Sequence, residues 1–96
     1  MHVIDIGKLQ DFYRRHPESQ KPLLSWLKVA QDASWKNFID IKSRYASADK
    51  AVKGIYTIFD IGGNKYRLVT IINYVIQTIT IIQIFTHAEY GRWNKL

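Results

Sequence analysis

The sequence contains no cysteine, and that absence excludes several kinds of chemistry. A disulfide framework, a thiol nucleophile and a thiolate metal site all require cysteine, so a cytoplasmic protein is the natural expectation. A secretory signal is also lacking, because Met1–Ile4 runs directly into the acidic Asp5. Both absences favour a cytoplasmic location.

Charged residues are missing from Leu68 to Thr86, a segment close to the length of a membrane-spanning helix. Asn73, Gln77 and Gln83 lie inside this segment, and each would be costly in hydrocarbon. β-branched residues are also dense there, which is typical of strands. We therefore expect a buried β-hairpin and no association with a membrane.

Motifs for metal ions or nucleotide cofactors are absent as well. The three histidines, His2, His16 and His87, are far apart, and no paired His or Asp/Glu spacing resembles a metal-ligand motif. The pair Gly62–Gly63 is not followed by the Gly-Lys-Ser/Thr of a phosphate-binding loop, and its spacing fits a hairpin turn. The sequence predicts neither a metal site nor a small-molecule cofactor.

What the chain does have is a basic, globular composition. Its 96 residues suffice for one domain, residues 1–96, and the 47% share of hydrophobic residues indicates a folded core. The formal net charge is +6, shared equally by the two halves of the chain, so it belongs to a folded surface and not to a tail. A basic surface favours anionic partners such as nucleic acid, although solubility alone also explains it.

The hydrophobic pattern changes along the chain from a helical to an extended period. The sequence predicts a strand over 1–5, helices over 8–16, from 18 or 19 onward and around 35–45, a loop over 46–50, strands over 55–59, 65–73 and 78–86, and a short helix from His87. This order predicts an α+β domain whose helices pack on a largely antiparallel sheet that ends in a three-strand meander.

Alternation along the middle strand of the meander divides its side chains between two faces. Tyr66 and Leu68 are expected to pack against the helices, whereas Lys65 and Arg67 share the open face. By the same alternation, Lys53 points to the same side as Ile55 and Thr57 if the preceding strand begins there. A solvated basic face is the ordinary explanation, but a long charged side chain in mid-strand, such as Arg67, is uncommon without a partner or a task.

His87 follows the last strand directly, so we expect it at the edge of the sheet. Histidine can give or take a proton at cytosolic pH, although a single histidine at a strand end is more often a surface or capping residue. Together, His87, Glu89, Tyr90, Arg67 and Lys65 suit metal-free cleavage of RNA. That reaction requires a base for the ribose 2′-OH, an acid for the leaving 5′-oxygen and cations beside the phosphorane.

Two segments resemble, in combination, the paired motifs of HigB toxins: Ile61–Leu68, which reads Ile-Gly-Gly-Asn-Lys-Tyr-Arg-Leu, and Thr86–Tyr90, which reads Thr-His-Ala-Glu-Tyr. Ala33–Trp35, Asp40–Lys42 and Ser47–Asp49 are similar to the middle region of that family, so the resemblance covers nearly the whole chain. It implies a RelE-like fold and cleavage of mRNA, typically on the translating ribosome. It also implies a partner, a HigA-type antitoxin with a helix-turn-helix domain.

The resemblance further implies roles for individual residues. Arg67 matches the family's strand arginine, which is expected to stabilise phosphate charge, and Lys65 matches its basic neighbour. His87 becomes the leading candidate for proton transfer, with Glu89 and Tyr90 orienting it or contacting RNA, and the choice between acid and base stays open. Contacts with RNA are also expected from the cations Lys42, Arg44, Lys53, Arg92 and Lys95.

Three functions remain compatible with the sequence. The first is an endoribonuclease toxin, the second a basic RNA- or ribosome-binding module without catalysis, and the third an interaction domain whose charge only aids solubility. Composition does not separate them, and the paired motifs favour the first. The apolar turn residues Val75 and Ile76 suggest, in addition, a contact with another protein.

Overall fold

The computed structural model describes residues 1–94, which form four helices and a five-stranded sheet. The elements in chain order are β1 (His2–Ile4), α1 (Gly7–Arg15), a 3₁₀ turn (Pro17–Ser19), α2 (Gln20–Asp32), α3 (Phe38–Arg44), β2 (Asp49–Ala51), β3 (Tyr56–Ile61), β4 (Tyr66–Asn73), β5 (Thr78–Thr86) and α4 (His87–Trp93). The strand order is β1-β5-β4-β3-β2, with β1 parallel to β5 and the other neighbours antiparallel. The α+β class and the three-strand meander are thus confirmed. Within the described chain, no helix has the length and hydropathy that a membrane span needs.

The first helix is set by the spacing of its apolar residues and by the proline that follows. Leu9 and Phe12 lie on one face of α1 and are buried. The helix ends before His16 because a residue that precedes proline is disfavoured in the helical region. The backbone N–H and the hydroxyl of Ser19 both donate to the His16 carbonyl, at 2.9 and 2.7 Å, and so fix the turn into α2.

Strand β2 contradicts the prediction of a loop over residues 46–50. Asp49–Ala51 pairs with residues 56–58 of β3 in an antiparallel ladder. The prediction fails because a three-residue edge strand reading Asp-Lys-Ala has no apolar alternation, so its extended form depends on the strand beside it. Lys53 lies in the following turn with a φ of 57°, so the strand position considered for it is also wrong.

The sheet face toward α1 and α2 carries the larger core. Trp26 of α2 packs edge to face on Phe59 of β3, with ring centres 5.3 Å apart. Tyr66 and Leu68 of β4 contribute to the same core, as their alternation predicts. This face therefore fixes the rotation of β4 and turns Arg67 to the other side of the sheet.

The second face is partly covered, which corrects the expectation of an open face. α4 folds back over it, and Val69 is fully buried there. The aromatic side chains that pack over this face are those of Tyr56, Phe85, Tyr90 and Trp93. A mid-strand arginine on this side is enclosed, because the C-terminal helix supplies the cover that alternation alone cannot reveal.

The turn between β4 and β5 contains no glycine and is held by a side chain. Asn73 Oδ1 accepts hydrogen bonds from the backbone N–H groups of Val75 and Ile76, at 3.1 and 3.2 Å. Gln77 completes the turn with a φ of 57°. The side chains of Val75 and Ile76 remain 92% and 65% exposed, at the end of the sheet opposite His87.

Candidate active site

The β3–β4 hairpin places Arg67 opposite an acidic residue. Its turn spans residues 62–65, where Gly62 and Gly63 adopt φ values of 64° and 71°, and Asp60 becomes the cross-strand partner of Arg67. Arg67 is only 9% exposed, and its Nε lies 3.1 Å from Asp60 Oδ1. A nearly buried cation is thereby paired with a carboxylate on the neighbouring strand.

The remaining donors of Arg67 are also occupied. Nη1 donates to the carbonyl oxygens of Asn64 and Tyr66, both at 3.2 Å, and Nη2 donates to Asn64 Oδ1 at 2.6 Å. Nη2 also lies 3.0 Å from His87 Nδ1. A guanidinium has five N–H donors in a fixed fork, and these contacts together with Asp60 engage every one. Arg67 therefore has no donor left for a phosphate in this arrangement.

His87 is exposed at the start of α4 and is oriented by Arg67. Because a guanidinium can only donate, His87 Nδ1 must be the acceptor, and the neutral ring then carries its proton on Nε2. The backbone N–H of His87 donates to the Lys65 carbonyl at 2.9 Å, which ties the helix start to the hairpin turn. The arrangement thus presents an N–H donor, at Nε2, at the edge of the sheet.

Thr86 and Glu89 form a capping box that begins α4. Thr86 Oγ1 accepts a hydrogen bond from the Glu89 N–H at 3.2 Å, and Glu89 Oε1 accepts one from the Thr86 N–H at 2.8 Å. The bond from the Thr86 backbone lowers the pKa of Glu89, against the smaller effect of burial. The Glu89 carboxylate is therefore ionised at neutral pH and is committed to the helix start that carries His87.

Tyr90 packs against the inner side of this cluster. Its ring centre lies 5.8 Å from Arg67 Cζ and 5.8 Å from the ring centre of Trp93. Burial, followed by the negative charge of Asp49, raises the pKa of the Tyr90 phenol. A neutral phenol ring thus lies beside the Arg67 guanidinium, on the side that faces the second core.

Lys65 does not join Arg67 as strand alternation predicts. It lies in the hairpin turn and not in β4, and it is exposed. Among the hydrogen bonds and ion pairs of residues 1–94, none links its ammonium group to Arg67 or His87. The expectation of two cations on one strand face is therefore wrong, because alternation ends where the turn begins.

The cations expected to contact RNA are dispersed over the surface. Lys42 donates to two backbone carbonyl oxygens ahead of β2, at 2.6 and 3.0 Å, and so supports that segment. Arg44 lies over a neighbouring tyrosine ring, with Cζ 4.8 Å from its centre. Lys53 is exposed in the β2–β3 turn and Arg92 is exposed on α4, whereas Lys95 lies outside the described residues.

Asp60 and Asn64 are the residues of this cluster that the sequence does not single out. Both are expected in the hairpin turn and receive no further role from the pattern. Asp60 and Arg67 are opposite in charge and equidistant from the centre of the turn, between Gly63 and Asn64, so their spacing is a signal for a cross-strand pair once the turn is taken as residues 62–65. The contacts of Asn64 depend on the curl of the turn and have no comparable signal.

Side chains that could bind a metal ion are not gathered in the described chain. The carboxylates of Asp60 and Glu89 are engaged by Arg67 and by the Thr86 backbone. Over residues 1–94, no three histidine, aspartate or glutamate side chains lie close enough together to hold a metal ion.

Comparison with known protein families identifies the family to which this chain is similar. The model of a family described as HigB_toxin, the RelE-like toxic component of a toxin-antitoxin system, matches residues 19–93. The chain belongs to this family of HigB toxins. The match includes the β3–β4 hairpin and α4, so the whole cluster around Arg67 lies inside it.

Individual relatives of this HigB toxin are similar over almost their full length. The mRNA interferase HigB of Escherichia coli O6:H1 (strain CFT073) is 24% identical over 96 residues, which cover 99% of this chain and 93% of the relative. The mRNA interferase toxin HigB of Escherichia coli K12 is 27% identical over 92 residues, covering 94% of this chain and 88% of the relative. The mRNA interferase HigB of Shigella flexneri shows the same values. Family membership agrees with the α+β, RelE-like fold.

Proposed function

We propose that this HigB toxin is an endoribonuclease that cleaves mRNA and thereby inhibits translation. The reaction is a metal-independent attack of a ribose 2′-OH on the adjacent phosphate, assisted by acid/base catalysis. The observation that carries the proposal is the 3.0 Å contact between Arg67 Nη2 and His87 Nδ1. The relatives described above are mRNA interferases by name, which supports the same reaction class here.

His87 stabilises the leaving group in this mechanism. The Nε2–H of its neutral ring donates a hydrogen bond to the 5′-oxygen as the bond from that oxygen to phosphorus breaks and negative charge develops there. The 2′-OH releases its proton to solvent water, and the 5′-oxygen takes up a proton from water. Arg67 is a positioning residue, because it keeps Nδ1 as an acceptor and so keeps the proton on Nε2. Its charge acts on the phosphate through space, which is compatible with the stabilisation of phosphate charge that the family resemblance implies.

The other members of the cluster supply charge and support. Lys65 offers an exposed ammonium group for the phosphate, and its backbone carbonyl already holds the His87 N–H. Glu89 maintains the helix start, and Tyr90 packs on Arg67. In this mechanism Glu89 and Tyr90 act through the position of His87 and Arg67.

The proposal is tested by expressing the toxin and mapping the ends of cellular mRNA. Wild-type protein is expected to stop growth and cut mRNA, and His87→Ala to lower cleavage by about 10²- to 10³-fold, the usual effect of removing one hydrogen-bond donor from a developing oxyanion. Because His87 is exposed, the free energy of unfolding should change by no more than about 0.5 kcal/mol. His2→Ala, an exposed histidine on β1, is the matched control.

Two outcomes would contradict the proposal. Undiminished cleavage by His87→Ala would remove the assigned site. Wild-type protein that binds ribosomes but leaves mRNA intact would instead support a non-catalytic RNA- or ribosome-binding module.

We further propose that cleavage takes place on the translating ribosome. The dispersed, exposed cations Lys53, Lys65 and Arg92 support a broad contact with ribosomal or messenger RNA. Purified toxin should then cut a message in a translation reaction and leave the same RNA intact without ribosomes. Equal cleavage in both reactions would contradict ribosome dependence.

A HigA-type helix-turn-helix antitoxin is the proposed protein partner, as family membership in a toxin-antitoxin system supports. Val75 and Ile76 expose apolar side chains in the β4–β5 turn, where the sequence predicts a protein contact. Ile76→Ser should weaken the complex in a titration with the protein encoded next to the toxin. Unchanged affinity would place the contact elsewhere.

A further inference from the structure

A cavity of about 190 Å³ lies between α1 and the outer edge of β5. β1 pairs only with Thr78–Thr80, so the edge of β5 from Ile81 onward has no neighbouring strand in the described chain. Phe12 and Ile84 are buried and form an apolar floor. The polar side chains around this floor are those of Lys8, Asp11, Arg15 and Gln83.

Two polar side chains at this cavity keep free hydrogen-bonding groups, in contrast to the guanidinium in the active site. Arg15 packs over the floor, with Cζ 5.8 Å from the centre of the Phe12 ring, and its Nε lies 3.4 Å from a backbone carbonyl one turn earlier. The hydrogen bonds found within residues 1–94 include none from the Arg15 Nη atoms or the Gln83 amide. Lys8 holds the strand edge, since its Nζ lies 3.3 and 3.2 Å from two β5 carbonyl oxygens. The Arg15 Nη donors and the Gln83 amide are therefore available to a ligand in the cavity.

The cavity lies near the candidate active site along β5. Phe12 on its floor contacts Tyr66 edge to face, with ring centres 5.4 Å apart. Tyr66 is the cross-strand partner of Thr86, and Thr86 directly precedes His87. Gln83 lies three residues before Thr86 in β5, a distance of about 10 Å along the strand. A single-stranded polymer bound at His87 can therefore extend into the cavity.

We propose that this cavity is a subsite for one nucleobase of the RNA, close to the cleaved phosphate, and that it influences cleavage preference. The proposal rests on the proposed function as a ribonuclease. A cavity of about 150 Å³ takes up benzene, and drug-sized ligands need about 300 Å³ or more. At about 190 Å³ this cavity suits a single planar ring system.

The surrounding side chains match the parts of a nucleotide. The base lies beside Ile84 on the cavity floor, the Gln83 amide donates to and accepts from its edge, and the free Nη atoms of Arg15 contact a phosphate. An extended polypeptide added to the open edge of β5 is the competing occupant. The charged side chains of the lining are Lys8, Arg15 and Asp11, and their net positive charge favours the anionic polymer.

The test measures RNA binding separately from cleavage. His87→Ala protein is titrated into a fluorescein-labelled single-stranded RNA of mixed sequence, and anisotropy is recorded over a range of salt concentrations. Adding Arg15→Gln should weaken binding about tenfold and lower the slope of log K against log salt by about 0.7, as expected for one lost phosphate contact. Arg14→Gln, the same charge change at a 73% exposed side chain outside the cavity, should leave the slope unchanged.

A second measurement addresses base recognition. Gln83→Ala in the otherwise wild-type toxin should redistribute the cleavage positions along a message, because the amide reads a base and does not touch the reacting atoms. Thermal melting of each variant establishes that it is folded.

Three results would contradict the proposed subsite. The first is equal RNA affinity of the Arg15→Gln and Arg14→Gln proteins, and the second is an absence of RNA binding at low salt. The third is an unchanged set of cleavage positions in Gln83→Ala. Failure of the proposed function is distinguishable, because wild-type toxin with an intact cavity would then leave mRNA uncut.

Discussion

Tyr66 and Arg67 are adjacent in β4, yet their side chains lie on opposite faces of the sheet in different surroundings. Both are nearly buried and both contact a carboxylate: the Tyr66 hydroxyl donates to Glu18, and the Arg67 guanidinium pairs with Asp60. The Tyr66 contact joins the sheet to the turn before α2. The Arg67 contact continues to His87, so this face carries the candidate chemistry.

The difference shows that a buried cation should be judged by its partners and not by its charge alone. In the sequence Arg67 is a mid-strand arginine, which is uncommon without a partner or a task, and the family resemblance implies that it stabilises phosphate charge. In the structure its donors are all engaged, and the contact that matters chemically is the one with His87. Positioning, and not phosphate binding, is therefore the role that the surroundings of Arg67 support.

The largest effect is expected from Arg67→Lys. Lysine keeps the charge but cannot reach Asp60, Asn64 and His87 together, because it lacks the planar fork. We expect cleavage to fall about 10²-fold through misplacement of His87, and the free energy of unfolding to fall by about 1–3 kcal/mol. Messenger cleavage and urea denaturation measure the two effects.

The same variant should also change the imidazole. Nitrogen-15 NMR is expected to show the proton of neutral His87 on Nε2 in the wild-type toxin and a mixture of tautomers in Arg67→Lys. Wild-type cleavage by Arg67→Lys would show that charge alone suffices and would contradict the positioning role.

A smaller effect is expected at the capping box. Thr86→Ala removes the side-chain acceptor for the Glu89 N–H and should cost about 1 kcal/mol of stability, with reduced cleavage as α4 frays around His87. Glu89→Gln keeps a side-chain acceptor for the Thr86 N–H and should leave cleavage unchanged. If Glu89→Gln cleaves as poorly as His87→Ala, Glu89 is itself a proton acceptor, and its assignment to the helix start is wrong.

The contact between Tyr66 and Glu18, on the other face of the sheet, should mainly affect how the stability of the fold depends on pH. The hydrogen bond from Tyr66 lowers the pKa of Glu18, and the same bond raises the pKa of Tyr66 to about 12. A carboxyl group with a lowered pKa stabilises the fold above its unfolded value of about 4.3, and this is lost as the pH falls through the folded value. A phenol with a raised pKa stabilises the fold below about 10, and this is lost as the pH rises through about 12.

Tyr66→Phe is therefore expected to flatten both limbs of the stability profile without abolishing cleavage. Urea denaturation at about pH 3, 7 and 11 measures the effect. An unchanged profile would show that the contact between Tyr66 and Glu18 contributes nothing to folding in solution.

Local patterns in the sequence account for most of the fold. The dense β-branched residues between Leu68 and Thr86 predict the long hairpin, and the residue before Pro17 predicts the end of α1, as the structure confirms. Strand β2 is not predicted because its extended form depends on pairing with β3. The packing of α4 over the second face of the sheet is not predicted either, since it joins segments distant in the chain.

The candidate site is only partly visible in the sequence. The pattern Thr86-His-Ala-Glu89 has the spacing of a capping box and places His87 at the start of a helix. The engagement of Arg67 by Asp60, Asn64 and His87 depends on the curl of a turn and on the position of α4. Sequence periodicity does not predict such contacts, so the positioning role of Arg67 could not be inferred from its charge alone.

A double-mutant cycle on messenger cleavage measures whether Arg67 acts through His87. Arg67→Lys should lower cleavage about 10²-fold in the wild-type toxin and should leave the residual activity of His87→Ala unchanged. A further loss in the double variant, by the same factor as in the single Arg67→Lys variant, would show that Arg67 acts on RNA independently and would contradict this account.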